Sequence, residues 1–190
     1  MELVQVLQEV VSSLEKLGIP SMLVGSFAST YYGASRYTQD ADLIVDFNRS
    51  QVDGFVKAFS TEFYVDRGLI EQALKNRSSF NVIHFATTFK VDFFLTKGNK
   101  YSEEEFARRK LRRIDPRSDF VINVQTAEDS LLSKLVWFLE GGQISENQWR
   151  DVIGILKNQA GNLDEKYLHE WAAELGVSDL LDKAHREARV

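Results

Sequence analysis

Two aspartates one residue apart, Asp40 and Asp42, stand at the head of the apolar run Leu43-Ile44-Val45. On a strand, side chains alternate between faces, so both carboxylates point the same way with Cα atoms about 7 Å apart. Ala41, Leu43 and Val45 then point the other way, into a core. Like charges so placed repel, and the pair needs either a counter-charge or solvent. A third carboxylate recurs in the same setting. In "FKVDFFL", Asp92 shares a face with Lys90 and Phe94, while Val91, Phe93 and Leu95 face the opposite side. Aspartate is depleted in strands, and burying it without a partner is expensive. The chain is therefore committed to a sheet with one apolar face and one face that carries acids.

Around these strands the pattern is helical. Residues 2–17 place Leu3, Val4, Leu7, Val10, Val11, Leu14 and Leu17 at helical spacing, and Gly18 with Pro20 ends that helix. Ser21–Val24 reads as a short strand, Gly25-Ser26 as a turn, and 27–32 as a helix that closes near Gly33. A strand over 40–47, a helix over 50–59 capped by Asn48 or Ser50, a short helix over 70–75 and a hairpin of 80–85 with 90–95 follow. "SEEE" is a capping-box pattern that predicts a helix over 102–110, and strands are predicted at 111–114 and 120–123. From Thr126 onward the chain reads as helix throughout. "TAED" and "SENQ" cap two helices, and two more are predicted around 163–175 and 178–189. The predicted class is α/β (α+β): a short mixed β-sheet flanked by helices over residues 1–124, then a C-terminal helical region over 125–190.

Composition narrows the chemistry. The 190 residues include no cysteine, which removes disulfides, thiolate catalysis and zinc–thiolate sites. This fits a reducing compartment, and a cytoplasmic location is expected. The N-terminal stretch has no basic leader or long apolar segment and is read as carrying no signal peptide. No run approaches the ~20 apolar residues of a membrane span. A net charge of −5 argues against a surface that grips nucleic acid throughout.

Three aspartates on neighbouring strands relieve one another's repulsion if they share divalent cations. Hard oxygen ligands suit Mg2+, which binds through a few carboxylates plus substrate phosphates. Two such ions clamp the attacking and leaving oxygens of an in-line phosphoryl displacement. Gly25-Ser26 supplies a complementary feature. A glycine after a strand lets the backbone approach a phosphate closely, and the N–H groups opening the next helix favour an anion.

Gly25-Ser26, a spacer of thirteen residues, Asp40-Ala41-Asp42 and the later Asp92 together resemble the signature of the DNA polymerase β-like nucleotidyltransferase superfamily. The segment Arg36-Tyr37-Thr38-Gln39-Asp40-Ala41-Asp42 is similar to small bacterial AbiEii-like members, known as toxins of toxin–antitoxin pairs. "EDSLLSKLVWF" and "QWRDVIGIL" are similar to the helical tail of such relatives. The resemblance implies that Gly25 and Ser26 bind the triphosphate, that Asp40 and Asp42 ligate two Mg2+ ions, and that Asp92 ligates one and helps deprotonate the acceptor hydroxyl. It implies transfer of a nucleoside monophosphate from a nucleoside triphosphate (NTP) to RNA, protein or a small molecule, with release of pyrophosphate. It also admits a cognate toxin or antitoxin partner.

Other residues stand between readings. Arg36 and Thr38 either touch phosphate and orient the acids or pack a loop. Lys134 either reaches a phosphate as a point charge or lies beside an apolar helix face. Arg150-Asp151 reads as a surface or inter-helix pair. His84 either orients Asp92 across the hairpin or is packed in the core. Arg108 to Arg117 form a basic cluster that either binds phosphate or is a solvated helix end. Two rivals remain: a non-catalytic nucleotide- or partner-binding component, and, within the enzyme class, a transferase that modifies a small molecule such as an antibiotic.

Overall fold

The computed structural model describes residues 3–33 and 40–189. These form two compact units, one of residues 3–24 with 40–124 and one of residues 25–33 with 125–189. Their helices are α1 (Leu3–Lys16), α2 (Gly25–Tyr31), α3 (Val52–Phe59), α4 (Arg67–Asn76), α5 (Lys100–Arg108), α6 (Ala127–Glu140), α7 (Glu146–Asn158), α8 (Glu165–Glu174) and α9 (Ser178–Ala188). Their strands are β1 (Ser21–Val24), β2 (Asp40–Val45), β3 (Phe63–Tyr64), β4 (Ser79–His84), β5 (Lys90–Leu95), β6 (Lys110–Arg113) and β7 (Val121–Val124).

The first unit is a mixed sheet with helices, in the order β3-β4-β5-β2-β1-β7-β6. β2 runs parallel to β5, and β1 parallel to β7, while the remaining neighbours are antiparallel. In the central strands the apolar side chains take one face. Ala41, Leu43, Val45, Val91 and Phe93 are buried, whereas Asp40, Asp42, Lys90 and Asp92 are half-buried on the other face. Behind the apolar face Phe55 stacks on Phe59 with centroids 4.2 Å apart, and Phe80 on Phe93 at 5.0 Å. Each such side chain contributes about 1.5–3 kcal/mol by leaving water. This aromatic layer fixes the strand register, because a slip of one residue would turn Phe93 out and Asp92 in.

Turn chemistry sets the ends. α1 stops at Gly18 (φ +64°), and Gln51 ties that end to the start of α3 by donating from Nε2 to the carbonyls of Leu17 and Gly18. A 3-10 turn, Arg49–Gln51, capped by Asn48, leads into α3. Two readings from sequence are corrected. α5 begins at Lys100, because Asn99 is its cap and Ser102 is the third helical residue of that capping box. The strand at Asp40 ends at Val45, where the Asp46 N–H turns to the Pro20 carbonyl.

The second unit is helical. Thr126, Ser145 and Asp164 cap α6, α7 and α8 by accepting backbone N–H groups of Asp129, Gln148 and Tyr167. Leu131, Leu132, Leu135 and Phe138 of α6 are buried, as are Val152, Ile155 and Leu156 of α7. α2 belongs here although it lies between two sheet strands in sequence. The Tyr32 hydroxyl donates to the Gln125 carbonyl at 2.8 Å, and Asn158 and Gln159 donate to the carbonyls of Gly33 and Tyr32. Among the described residues no helix is long and apolar enough to cross a membrane.

Candidate active site

The acid face comes from one register. β2 and β5 pair in parallel with Asp42 opposite Asp92 and Asp40 opposite Lys90. Register partners on adjacent strands point to the same face, so the three carboxylates and the lysine form a compact square on the sheet. The row through Asp92 and Asp42 extends to Asn81 of β4 on one side and Val24 of β1 on the other. Gly25 is the next residue in the chain.

A cation already sits among the acids. Lys90 Nζ lies 2.6 Å from Asp92 Oδ2 and 3.9 Å from Asp40 Oδ2. The Asp92 hydrogen bond holds the ammonium above its ordinary lysine value. Burial opposes this, and the charges of Asp92, Asp40 and Asp42 add to it. Among the described residues no three His, Asp or Glu side chains are gathered so as to hold a metal ion. The donor set nevertheless has the chemistry of a hard-cation site: carboxylate oxygens on one face, arranged about a positive charge.

In the second unit, Gly25 opens α2 at φ +66°, a conformation that glycine adopts without strain. Ser26 is buried. One turn later, the Ser29 hydroxyl lies 3.1 Å from the Ser26 carbonyl and 3.5 Å from Asp151 Oδ2, sharing its one proton between them. Asp151 of α7 is held by Lys134 Nζ of α6 at 2.9 Å, with both side chains 2% exposed. A buried ion pair thus stands behind the turn that begins at Gly25.

Arg36 and Thr38 lie outside the described residues. His84 is not the partner of Asp92, because the β3 and β4 pairing sets it opposite Phe63 and the hairpin sets Asn81 opposite Asp92. It is 1% exposed, with Nδ1 on the Thr87 hydroxyl at 2.8 Å. Asn81 was missed because the turn length could not be fixed. Once the turn is known to span 85–89, alternation along "SFNVIH" leads to it. The basic cluster is largely engaged: Arg113 pairs with Asp119, Arg117 with Asp115, and Arg109 donates to the Phe106 carbonyl.

No family model and no curated protein matches the sequence. Solved structures do. An antigenic nucleotidyltransferase-like protein from Paracoccidioides brasiliensis is similar with TM-score 0.57 and 16% identity, over 96% of this chain and 91% of that one. The chain has a nucleotidyltransferase-like fold. The antibiotic-resistance factor ANT(2'')-Ia is also similar, with TM-score 0.54 and 11% identity, over 98% of this chain and all of the other. At such identities the shared property is the fold.

Proposed function

We propose that the protein is a Mg2+-dependent nucleotidyltransferase that moves a nucleoside monophosphate from an NTP to a hydroxyl acceptor. The observation that carries this reading is the parallel register that sets Asp42 beside Asp92, with Asp40 on the same face. The nucleotidyltransferase-like fold supports it. Asp40, Asp42 and Asp92 would hold the metal. When bound, Mg2+ would supply the positive charge that in-line displacement at phosphorus needs.

The remaining roles belong to the chain. Asp92 accepts the proton of the acceptor hydroxyl as that oxygen bonds to the α-phosphorus. The bond from the α-phosphorus to the bridging oxygen breaks, and pyrophosphate leaves with its electron pair. Gly25 and Ser26 bind the triphosphate through backbone N–H groups and the serine hydroxyl, and Arg36 and Thr38 assist. Lys134 supports that turn through its buried ion pair with Asp151. The catalytic domain spans 1–124 and the helical region 125–190, with α2 of the former packed among the helices of the latter. The acceptor is a hydroxyl on RNA, protein or a small molecule. The AbiEii-like placement, with a toxin or antitoxin as partner, rests on the Arg36–Asp42 segment and the helical tail. A cytoplasmic location rests on the absence of cysteine.

A second reading is a non-catalytic nucleotide- or partner-binding component. It is favoured by one observation, the lysine that stands where a metal would neutralise the acids. Calorimetric titration with each of the four NTPs, with and without Mg2+, separates the two. Wild-type protein is expected to bind in a metal-dependent way that Asp40→Asn/Asp42→Asn abolishes. Asp92→Asn should retain triphosphate binding while losing at least about a hundredfold in transfer rate, as expected when a general base is removed. Absence of metal-dependent binding at millimolar NTP would reject the enzyme reading.

A further inference from the structure

Lys90 has the right position to do more than form a strand ion pair. Lysine is depleted in strands, yet here it is the register partner of one aspartate and lies two residues before another. Its ammonium is within 4 Å of carboxylate oxygens from two different strands, Asp92 on β5 and Asp40 on β2. An ammonium is a single charge with three donors. It satisfies the carboxylate it touches but cannot gather three carboxylates into one shell as a divalent ion does. Among the described residues no three acids are drawn together closely enough to hold a metal ion.

We infer that Lys90 is a built-in counter-ion that competes with the divalent cation for Asp92 and Asp40, so that a metal ion occupies the site only as the ammonium leaves Asp92. This rests on the metal-site reading above. The physical reason is charge. A divalent ion and an ammonium on the same carboxylate repel each other, and a carboxylate oxygen directed at Nζ is not directed at the metal. The device holds the acids together without metal. It also makes free metal bind weakly, because the metal must displace a charge that is covalently present at high effective concentration. An ion arriving with a triphosphate brings additional phosphate oxygens to the contest. Lys90 is in this sense a positioning residue that couples metal entry to nucleotide entry.

The test is Mn2+ binding without nucleotide, read by the electron paramagnetic resonance signal of free Mn2+, for wild type, Lys90→Met, Lys90→Arg and Asp42→Asn. Lys90→Met keeps the length of the side chain and removes its charge. The expected result is Mn2+ affinity at least tenfold tighter in Lys90→Met than in wild type, with Lys90→Arg close to wild type. A lysine that merely supports the strands predicts loss of affinity on substitution, so the sign of the change decides. Thermal unfolding guards against a variant that folds poorly. Mn2+ should raise the melting temperature of Lys90→Met by more than that of wild type. Equal or weaker binding by Lys90→Met, alongside wild-type binding that Asp42→Asn loses, would overturn the competition while leaving the metal site intact. Millimolar Mn2+ binding to none of the four proteins would overturn the metal site itself, and the competition with it.

Discussion

Lys134 and Asp151 place opposite charges 2.9 Å apart with 2% of each side chain exposed. Charges so buried are costly to remove from water, and each is tolerated because the other is present. Lys134→Met leaves the Asp151 carboxylate buried without its ammonium, and the loss should be about 3–5 kcal/mol. Replacing both members, Lys134→Met with Asp151→Leu, should restore most of that loss, because an apolar pair of similar volume carries no desolvation penalty. Urea unfolding of the two variants checks both statements. In the sequence, Lys134 could be placed only at the edge of an apolar helix face. Asp151 was read as part of a surface or inter-helix pair, but its pairing with Lys134 was not, because an ion pair between α6 and α7 depends on how two helices pack, which helical spacing does not specify. The acids on β2 and β5 were legible for the opposite reason. Strand alternation is local, and an aspartate flanked by Val91 and Phe93 declares its face without help from the rest of the chain.

At the scale of elements, the junction of β1 and α2 depends on one backbone angle. Gly25 sits at φ +66°, where a Cβ costs about 1–2 kcal/mol. Gly25→Ala should lower stability by that amount, and Gly25→Asn by less, since asparagine tolerates the left-handed region. Melting curves of the three proteins would show the order. Under the proposed function, Gly25→Ala also weakens NTP binding, a separate readout. The elements themselves were mostly readable. β1 and β5 fall on their predicted residues, and the caps Thr126 and Ser145 are where "TAED" and "SENQ" placed them. The two-residue strand β3 was not foreseen. Phe63-Tyr64 is too short for a periodic signal, and it is a strand only because it lies against Ile83 and His84 of β4. α5 was misjudged by two residues because Asn99 and Ser102 both have capping chemistry, and only the backbone shows which of them sits outside the helix.

At the scale of the whole molecule, the chain does not fill its two units one after the other. Its first unit is made from residues 3–24 and 40–124, and α2 between them in sequence belongs with α6 to α9. A fragment ending at Val124 should therefore leave α2 without the helices that cover it, although its sheet is complete. Amide hydrogen exchange is expected to show protected β2 and β5 but fast-exchanging α2 in this fragment, whereas the full chain protects all three. Slow exchange throughout the fragment would show that α2 folds without the C-terminal helices. The same interleaving limits how the molecule can be rearranged by recombination. A crossover near residue 124 exchanges the last four helices but leaves α2 behind, facing partners of another lineage. Residues 25–33 and the C-terminal helices should accordingly descend together, and a viable chimera would need a second crossover around α2.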